Sequence, residues 1–360
     1  MVLNSKTISM GELENMAIDY KIYELGDVLL QSGETLSDAK LAYATYGTLN
    51  ARKDNVIIFP THYTGTHRSN AKLIGKGRAL DPNRYFIIVP NMFGNGLSSS
   101  PSHGLGANFP HVTVYDNIQC QLRLVTEQFG IERIALVMGW SMGAQQAYHW
   151  AALFPDPPLA AAQSVRVERI FPYCGSAKTS VHNGVFLEGV KAALTADATW
   201  QNGHYTEPPV AGLKAFGRVY AGWAYSQAFY REGLYRELGF ETVEALLKWW
   251  EDDHLSWDAN DLLAMLWTWQ HGDISDNPLY GGDFALALRS IQARAIVMPS
   301  ATDLYFPPED NAIEVSYMPN AELRVIQSIW GHCAGGPGYS AKDTELIEAT
   351  ITELLASESA

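Results

Sequence analysis

The sequence predicts an α/β architecture, a mostly parallel, doubly wound sheet interrupted late in the chain by a helical insertion. Three observations point there. Short, nearly continuous apolar runs end at Pro or Gly, as strands buried on both faces do. Helical patterns fall between and after these runs. Between about 176 and 285 the alternation stops in a Trp- and Tyr-rich stretch with helical segments and no convincing strand, and it resumes afterwards.

In chain order, residues 1–52 alternate short apolar runs with turns and read as a leading antiparallel hairpin or two. Strands are expected at 56–59 before Pro60, at 85–89 before Pro90 and at 134–138 before Gly139. Residues 113–129 place Val114, Ile118, Leu122 and Val125 at helical spacing, with Gly130 closing the helix. A second helix is expected over 142–154, stopped by Pro155. Helical segments follow at 182–196, 210–238, 241–252 and 258–271, carrying most of the tryptophans, for which packing is the expected role. Strands return at 295–298 and 323–326, and a helix over 342–357 closes the chain. The expected organisation is one core, 1–175 and 286–360, carrying a helical lid over 176–285.

A length of 360 residues suits a single core with a sizeable insertion. With 47% hydrophobic residues the chain has ample material for a large core, which excludes disorder as its main state. The formal charge of −14 repels phosphate backbones and anionic membranes, so neither nucleic acid nor a membrane is expected as a partner. Cys120, Cys174 and Cys333 are scattered, with no CxxC spacing, and fit a reducing compartment. Residues 1–16 lack the basic start and apolar run of a signal peptide, and no stretch approaches about 18 uninterrupted apolar residues. A cytoplasmic setting is the expectation.

The chemistry concentrates at Gly139-Trp140-Ser141-Met142-Gly143, a G-x-S-x-G between an expected strand and an expected helix. Glycines two before and two after the serine permit the tight turn that lifts its hydroxyl clear of a sheet. A serine hydroxyl becomes a useful nucleophile only when an imidazole takes its proton, and an acid must orient that imidazole. In the α/β-hydrolase fold, which this context indicates, the chain order is serine, acid, histidine. Asp303 follows the strand at 295–298, and His332 follows the strand at 323–326. Past the insertion His332 is the only histidine, while Asp310 and Asp343 fall on helical patterns. The oxyanion of a tetrahedral intermediate needs two N–H donors. Met142, after the nucleophile, is one; Tyr63 in the loop 60–66 is the choice for the second, with Thr64 its near rival and the Tyr63 side chain free to shape an acyl pocket.

His62, His67, His103 and His111 include no pair at helical i, i+4 spacing, so no metal site is expected, and no cofactor is called for. Gly94-Asn95-Gly96 is a turn without the phosphate-cradling GxxxxGK. Cys333 reads as a small packing residue beside His332.

These residues also carry a family likeness. THYTGT at 61–66, FPHVTVYDNI at 109–118, FGIERIALVMGWSMGAQQA at 129–147, CGSAKTS at 174–180, ADATWQNGHY at 196–205, DLYFPPED at 303–310 and GH at 331–332 resemble the homoserine O-acetyltransferase family of the α/β-hydrolase superfamily. The resemblance implies the same triad, Ser141, Asp303 and His332, a helical lid, and a homodimer built through that lid. Three departures from it concern the substrate. The arginine that holds a homoserine carboxylate in the transferases is Lys191 here, which keeps charge but loses the bidentate fork. The acidic residue after the catalytic histidine is Cys333 here, and the small residue before the serine is Trp140. The resemblance therefore implies an ester hydrolase acting on small short-acyl esters, acetates first, with Trp140, Lys191 and Cys333 at the substrate. The alternative is an O-acyltransferase using acetyl-CoA and an alcohol such as homoserine.

Overall fold

The computed structural model describes residues 19–155 and 165–358. Residues 1–16, read above as lacking the features of a signal peptide, lie outside them. Two antiparallel strands open the chain, β1 (Lys21–Leu29) and β2 (Thr35–Tyr46). β3 (Val56–Ile58) precedes the short helix α1 (His67–Ala71) and β4 (Phe86–Pro90). Then come α2 (Val114–Arg123), β5 (Arg133–Ile134), β6 (Leu136–Trp140) and α3 (Met142–Leu153). β7 (Arg166–Val167) and β8 (Arg169–Tyr173) complete the first half.

Only helices and loops lie between β8 and the next long strand: α4 (Val181–Thr195), α5 (Val210–Ala224), α6 (Gln227–Glu232), α7 (Val243–Leu255), α8 (Ala259–Gln270) and α9 (Phe284–Ser290). The chain ends with β9 (Arg294–Val297), α10 (Pro308–Tyr317), β10 (Ala321–Leu323) and α11 (Ala341–Ala356). The main sheet has eight strands in the order β1-β2-β4-β3-β6-β8-β9-β10; its first two pairings are antiparallel and the rest parallel, while β5 and β7 form a small separate pair. The α/β-hydrolase fold read from the sequence is the fold found.

Alternation along the central strands builds two cores. Ile57, Ile87, Leu136, Met138, Phe171 and Ile296 point to the face covered by α11 and the inserted helices. Val56, Ile58, Ile88, Val137, Ile170 and Val297 point to the face covered by α2 and α3. This is why the strand runs read as continuously apolar: both faces are buried.

Three details differ from the sequence expectation. β8 was not anticipated, because Pro172 in its run argues against a central strand. It nevertheless lies between β6 and β9, with Met298 N–H donating to the Pro172 carbonyl at 3.0 Å. The helical segment 210–238 breaks at extended Tyr225, and the Ser226 hydroxyl then caps α6 by accepting from Phe229 N–H. The first core helix continues past Arg123 as a five-residue π stretch, Leu124–Gln128, before Gly130 turns out of it at φ +59°.

Buried amides then reach from the core to the loop after β3. The Trp150 indole N–H donates to Gln121 Oε1 at 3.0 Å, Gln121 Nε2 to Gln146 Oε1 at 2.7 Å, and Gln146 Nε2 to the Thr61 carbonyl at 2.8 Å. Among the described residues no helix is long and apolar enough to cross a membrane.

Trp150 is fully buried, so Trp150→Ala is expected to destabilise by about 3–5 kcal/mol, and Trp150→Phe by about 1 kcal/mol for the lost hydrogen bond. Urea unfolding measures both; equal losses would mean the indole N–H carries the stability rather than its packing.

Candidate active site

Ser141 sits between β6 and α3 at φ 59° and ψ −125°, a conformation that an L-residue holds only when its surroundings impose it. Three glycines make the space. A Cβ on Gly139 would lie 2.2 Å from the Gly143 carbonyl carbon, and one on Gly143 would lie 2.9 Å from the Pro60 carbonyl oxygen. A Cβ on Gly175 would lie 2.7 Å from the Ser141 carbonyl oxygen. The Ser141 N–H is held by the carbonyls of Tyr173 and Cys174, at 3.3 and 3.1 Å. The turn is thus clamped by the strand beside it.

Asp303 and His332 come together from the loops after β9 and β10. His332 Nδ1 lies 2.7 Å from Asp303 Oδ2, while Asp303 Oδ1 accepts the N–H groups of Tyr305 and Phe306 at 2.8 and 3.1 Å. The acid is therefore aimed through one oxygen and anchored through the other. Thr302 ties the two loops, its hydroxyl donating to the Ser328 carbonyl at 3.0 Å and accepting Gly331 N–H at 3.1 Å. Gly331, at φ +66°, passes so close to the inserted helices that a Cβ would meet Ser226 N at 2.7 Å. All three side chains are buried, with Ser141 3% exposed and Asp303 and His332 4% each.

Among the described residues no hydrogen bond joins Ser141 to His332. Trp140, the neighbour of the serine, links them instead: its ring stacks on the imidazole, centroids 5.0 Å apart at 24°, and its N–H donates to the His332 carbonyl at 3.2 Å. Catalytic hydrogen bonds are often long without substrate and close when it binds. The glycine run after His332 accommodates the indole, since a Cβ on Gly335 would lie 2.6 Å from Trp140 Cδ1.

Met142 N–H opens α3 and Tyr63 N–H lies in the loop after β3; neither has an acceptor among the described residues, and the same holds for Thr64 N–H. Thr64 adopts φ +54°, which turns this loop sharply. The Tyr63 side chain is not free, as the sequence suggested. It is 3% exposed, its hydroxyl donates to the Leu262 carbonyl at 3.2 Å, and its ring stacks on Tyr220 of α5 at 5.8 Å. Tyr220 in turn contacts Tyr305 and receives its hydroxyl on the backbone carbonyl at 3.2 Å. An aromatic bridge thus runs from the expected oxyanion loop, through the inserted helices, to the acid loop; the sequence offered no pointer to Tyr220.

The remaining expected substrate residues divide. Cys333 is buried beside this bridge, and burial pushes its thiol well above the ordinary range, so it stays a neutral thiol. Lys191 is not brought to the site: it lies half-exposed on α4, ion-paired to Glu188 at 3.3 Å, and lines surface hollows with Trp267 and Gln270. Its spacing from ADATW placed it on the helix face that points outward.

The four early histidines do separate jobs. His67 pairs with Asp19 at 2.9 Å, His103 contacts the Gly96 carbonyl, and His111 packs edge-on to Trp267. Among the described residues no three His, Cys, Asp or Glu side chains gather as metal ligands would. His62 was overlooked as a site residue. Its ring packs on Trp140 at 4.6 Å, and its Nδ1 lies 2.8 Å from the Tyr63 carbonyl, which assigns the proton to Nδ1. Its Nε2 is buried without a partner among the described residues, on the side of the ring that packs against Gly65. Burial lowers its pKa to about 4, with the nearby His332 adding to the effect.

Comparison with known proteins agrees with this geometry. Residues 55–162 match the alpha/beta hydrolase fold family. The chain is 38% identical over 346 residues to the ethyl acetate hydrolase of Pseudomonas veronii, covering 94% of this chain and 96% of that protein. It superposes on the crystal structure of an acetylester hydrolase from Corynebacterium glutamicum with a TM-score of 0.88, at 38% identity, over 94% of this chain and 96% of the other. The homoserine O-acetyltransferase of Trichormus variabilis is more distant, 29% identical over 85% of this chain and 86% of its own.

Two outcomes follow. Asp303→Asn would turn an amide N–H toward His332 Nδ1, and kcat on an activated ester should fall about 10⁴-fold with KM little changed; a drop under tenfold would separate Asp303 from the chemistry. The second concerns pH. Burial lowers His62 and, in α7, His254 each from 6.5 to about 4. The unfolded chain therefore binds these protons first, so the stability they contribute is complete above pH 6.5 and drains away as pH falls toward 4. In urea unfolding across that window, His62→Gln and His254→Gln should each flatten the slope relative to the parent protein, and an unchanged slope would count against neutral buried rings.

Proposed function

The chain belongs to the homoserine O-acetyltransferase-like family of the α/β-hydrolase superfamily, on its ester-hydrolase side, and from that premise we propose that it hydrolyses small acetate esters through an acyl-enzyme on Ser141. The observation that carries this reading is the setting of His332. It is held by Asp303 from behind and faced by the indole of Trp140 beside the strained serine. In the proposed cycle Ser141 Oγ attacks the ester carbonyl while His332 Nε2 takes its proton. The N–H groups of Met142 and Tyr63 receive the oxyanion. The imidazolium then protonates the departing alcohol, and the same base activates water to release acetate.

The choice of water over an amino-acid acceptor rests on what surrounds the triad. A zwitterionic acceptor would need an anion and a cation in place to hold its amine and carboxylate. Cys333 supplies an uncharged thiol where the transferases have an acid, and Lys191 is turned outward and paired to Glu188. The bridge Tyr63–Tyr220–Tyr305 reaches His332, whose ring Tyr305 and Trp140 flank, and this aromatic setting suits a short acyl group and a small apolar alcohol. The names of the similar proteins, an ethyl acetate hydrolase and an acetylester hydrolase, support the same substrate class.

We also read the protein as a homodimer joined through the inserted helices, supported by Val181 and Val185, which stand 89% and 64% exposed one turn apart on α4. Three free, buried cysteines support a cytoplasmic setting.

The test offers p-nitrophenyl acetate, ethyl acetate, and acetyl-CoA with homoserine. Ester hydrolysis is expected to dominate, and Ser141→Ala should remove it by about 10⁴-fold or more. Homoserine-dependent release of CoA outrunning ester hydrolysis would replace this reading with the transferase. Light scattering of the eluted protein addresses the dimer, which a purely monomeric mass would rule out.

A further inference from the structure

Against the loop after β8, which helps clamp Ser141, lies a buried carboxylate that the proposed reaction does not use. Glu314 of α10 is 3% exposed, and no cation pairs with it among the described residues. Three donors converge on it instead. Ala177 N–H reaches Oε1 at 2.7 Å, and Oε2 accepts the Tyr148 hydroxyl at 2.8 Å and Asn311 Nδ2 at 2.7 Å. Asn311 Nδ2 also donates to the Gly175 carbonyl at 2.9 Å. The Asn311–Glu314 contact lies within α10, and the others join α10 to elements that shape the serine turn. Tyr148 is on α3, the helix that Ser141 opens, and Gly175 and Ala177 belong to the loop after β8.

That loop cannot hold its shape unaided. Cys174 stands at φ +41°, and its carbonyl is one of the two that accept Ser141 N–H. Gly175 lies against the Ser141 carbonyl and the Ala144 methyl, closer than any Cβ would allow. A displacement of this loop therefore shifts the backbone clamp on Ser141 directly. We infer that Glu314 is a positioning residue for the nucleophile: its carboxylate, fed only by neutral donors, pins the strained 174–177 loop, whose Cys174 carbonyl helps keep Ser141 in its raised conformation.

The chemistry of the site favours this role over simple filling. A buried carboxylate without a counter-ion costs stability relative to an apolar side chain of similar size. Burial, with Asp310 one turn away adding to it, raises the Glu314 pKa to about 7. What the group provides in exchange is acceptor capacity on both oxygens, which no neutral side chain of its shape supplies. In Glu314→Gln the amide nitrogen must face either Ala177 N–H or Asn311 Nδ2, donor against donor. The first contact holds the loop directly, and the second holds it through Gly175.

The inference rests on Ser141 being the nucleophile, and its test reads that serine separately. The rate of covalent labelling by a fluorophosphonate is measured for the parent protein, Glu314→Gln, Asn311→Ala and Tyr148→Phe, beside kcat, KM and the urea midpoint of each. Labelling and kcat should fall about 10- to 100-fold in Glu314→Gln, and more mildly in Asn311→Ala, with KM within about threefold. Tyr148→Phe removes a hydrogen bond from the same carboxylate without touching the loop, so it should lose stability yet label at close to the parental rate. Glu314→Gln or Asn311→Ala labelling like the parent overturns the proposal. So does reactivity that tracks the urea midpoint across all three variants, which is the mark of a merely structural carboxylate. Should Glu314→Gln not fold, Asn311→Ala alone decides. A parent protein that does not label at all overturns the nucleophile reading instead.

Discussion

The strained turn at Ser141 is the constraint to which the rest of the structure answers. A non-glycine residue at φ 59° and ψ −125° is not a resting place for a free chain. It persists because β8 accepts its N–H, because Gly139, Gly143 and Gly175 leave no Cβ in the way, and because α3 begins at once and commits the next residues to helical geometry. The strain aims the hydroxyl away from the sheet and sets the first N–H of α3 beside it. One backbone conformation thus presents both the nucleophile and an oxyanion donor of the proposed cycle, and the neighbouring strand and loop must be rigid enough to hold it.

The partners of that serine reach it from distant parts of the chain, so their placement is a problem of loop geometry. Asp303 is fixed by two backbone N–H groups in its own turn, which costs no second element. His332 needs more, because its loop carries a positive φ at Gly331 and a glycine run beyond it. Thr302 couples the two loops, the Ser328 hydroxyl donates to Asp343 of α11 at 2.6 Å, and the Ser226 hydroxyl of the inserted helices donates to the Ile329 carbonyl at 2.6 Å. The inserted helices are therefore structural supports for the His332 loop. A change in them is transmitted to His332 through Gly331, where there is no room for even a methyl group.

Much of this was legible in the sequence because it depends on local pattern. Buried strands announce themselves as apolar runs, and a serine flanked by two glycines between a strand and a helix has few other meanings. The pairing of Asp303 with His332 followed from chain order once the strands were placed. What stayed hidden depends on distant pairings. β8 escaped because Pro172 contradicts the local rule for a central strand, and only its neighbours β6 and β9 explain why it is tolerated. The fixed side chain of Tyr63 meets Leu262 and Tyr220, and Glu314 meets Ala177 and Tyr148, residues more than a hundred positions away. Lys191 shows the opposite failure: a plausible spacing chose a helix, but only the packing of α4 decides which face looks outward.

The same packing bears on which acceptor an acyl-enzyme here would meet. A transferase must hold its acceptor long enough to exclude water, and for an amino acid that means paying to desolvate two charges and recovering the cost from fixed counter-charges. Around His332 stand the rings of Trp140, Tyr305 and Phe306, with the neutral thiol of Cys333 next along the chain. Such a surface recovers little from a zwitterion and asks little of a small apolar ester. Water needs no recognition at all, only a base with a free lone pair, and in the proposed cycle His332, oriented by Asp303 through Nδ1, would use Nε2 for that purpose. On the proposed reading, the loss of charged anchors and the gain of Trp140 therefore act in one direction, lowering the residence of charged acceptors while leaving the proposed base intact.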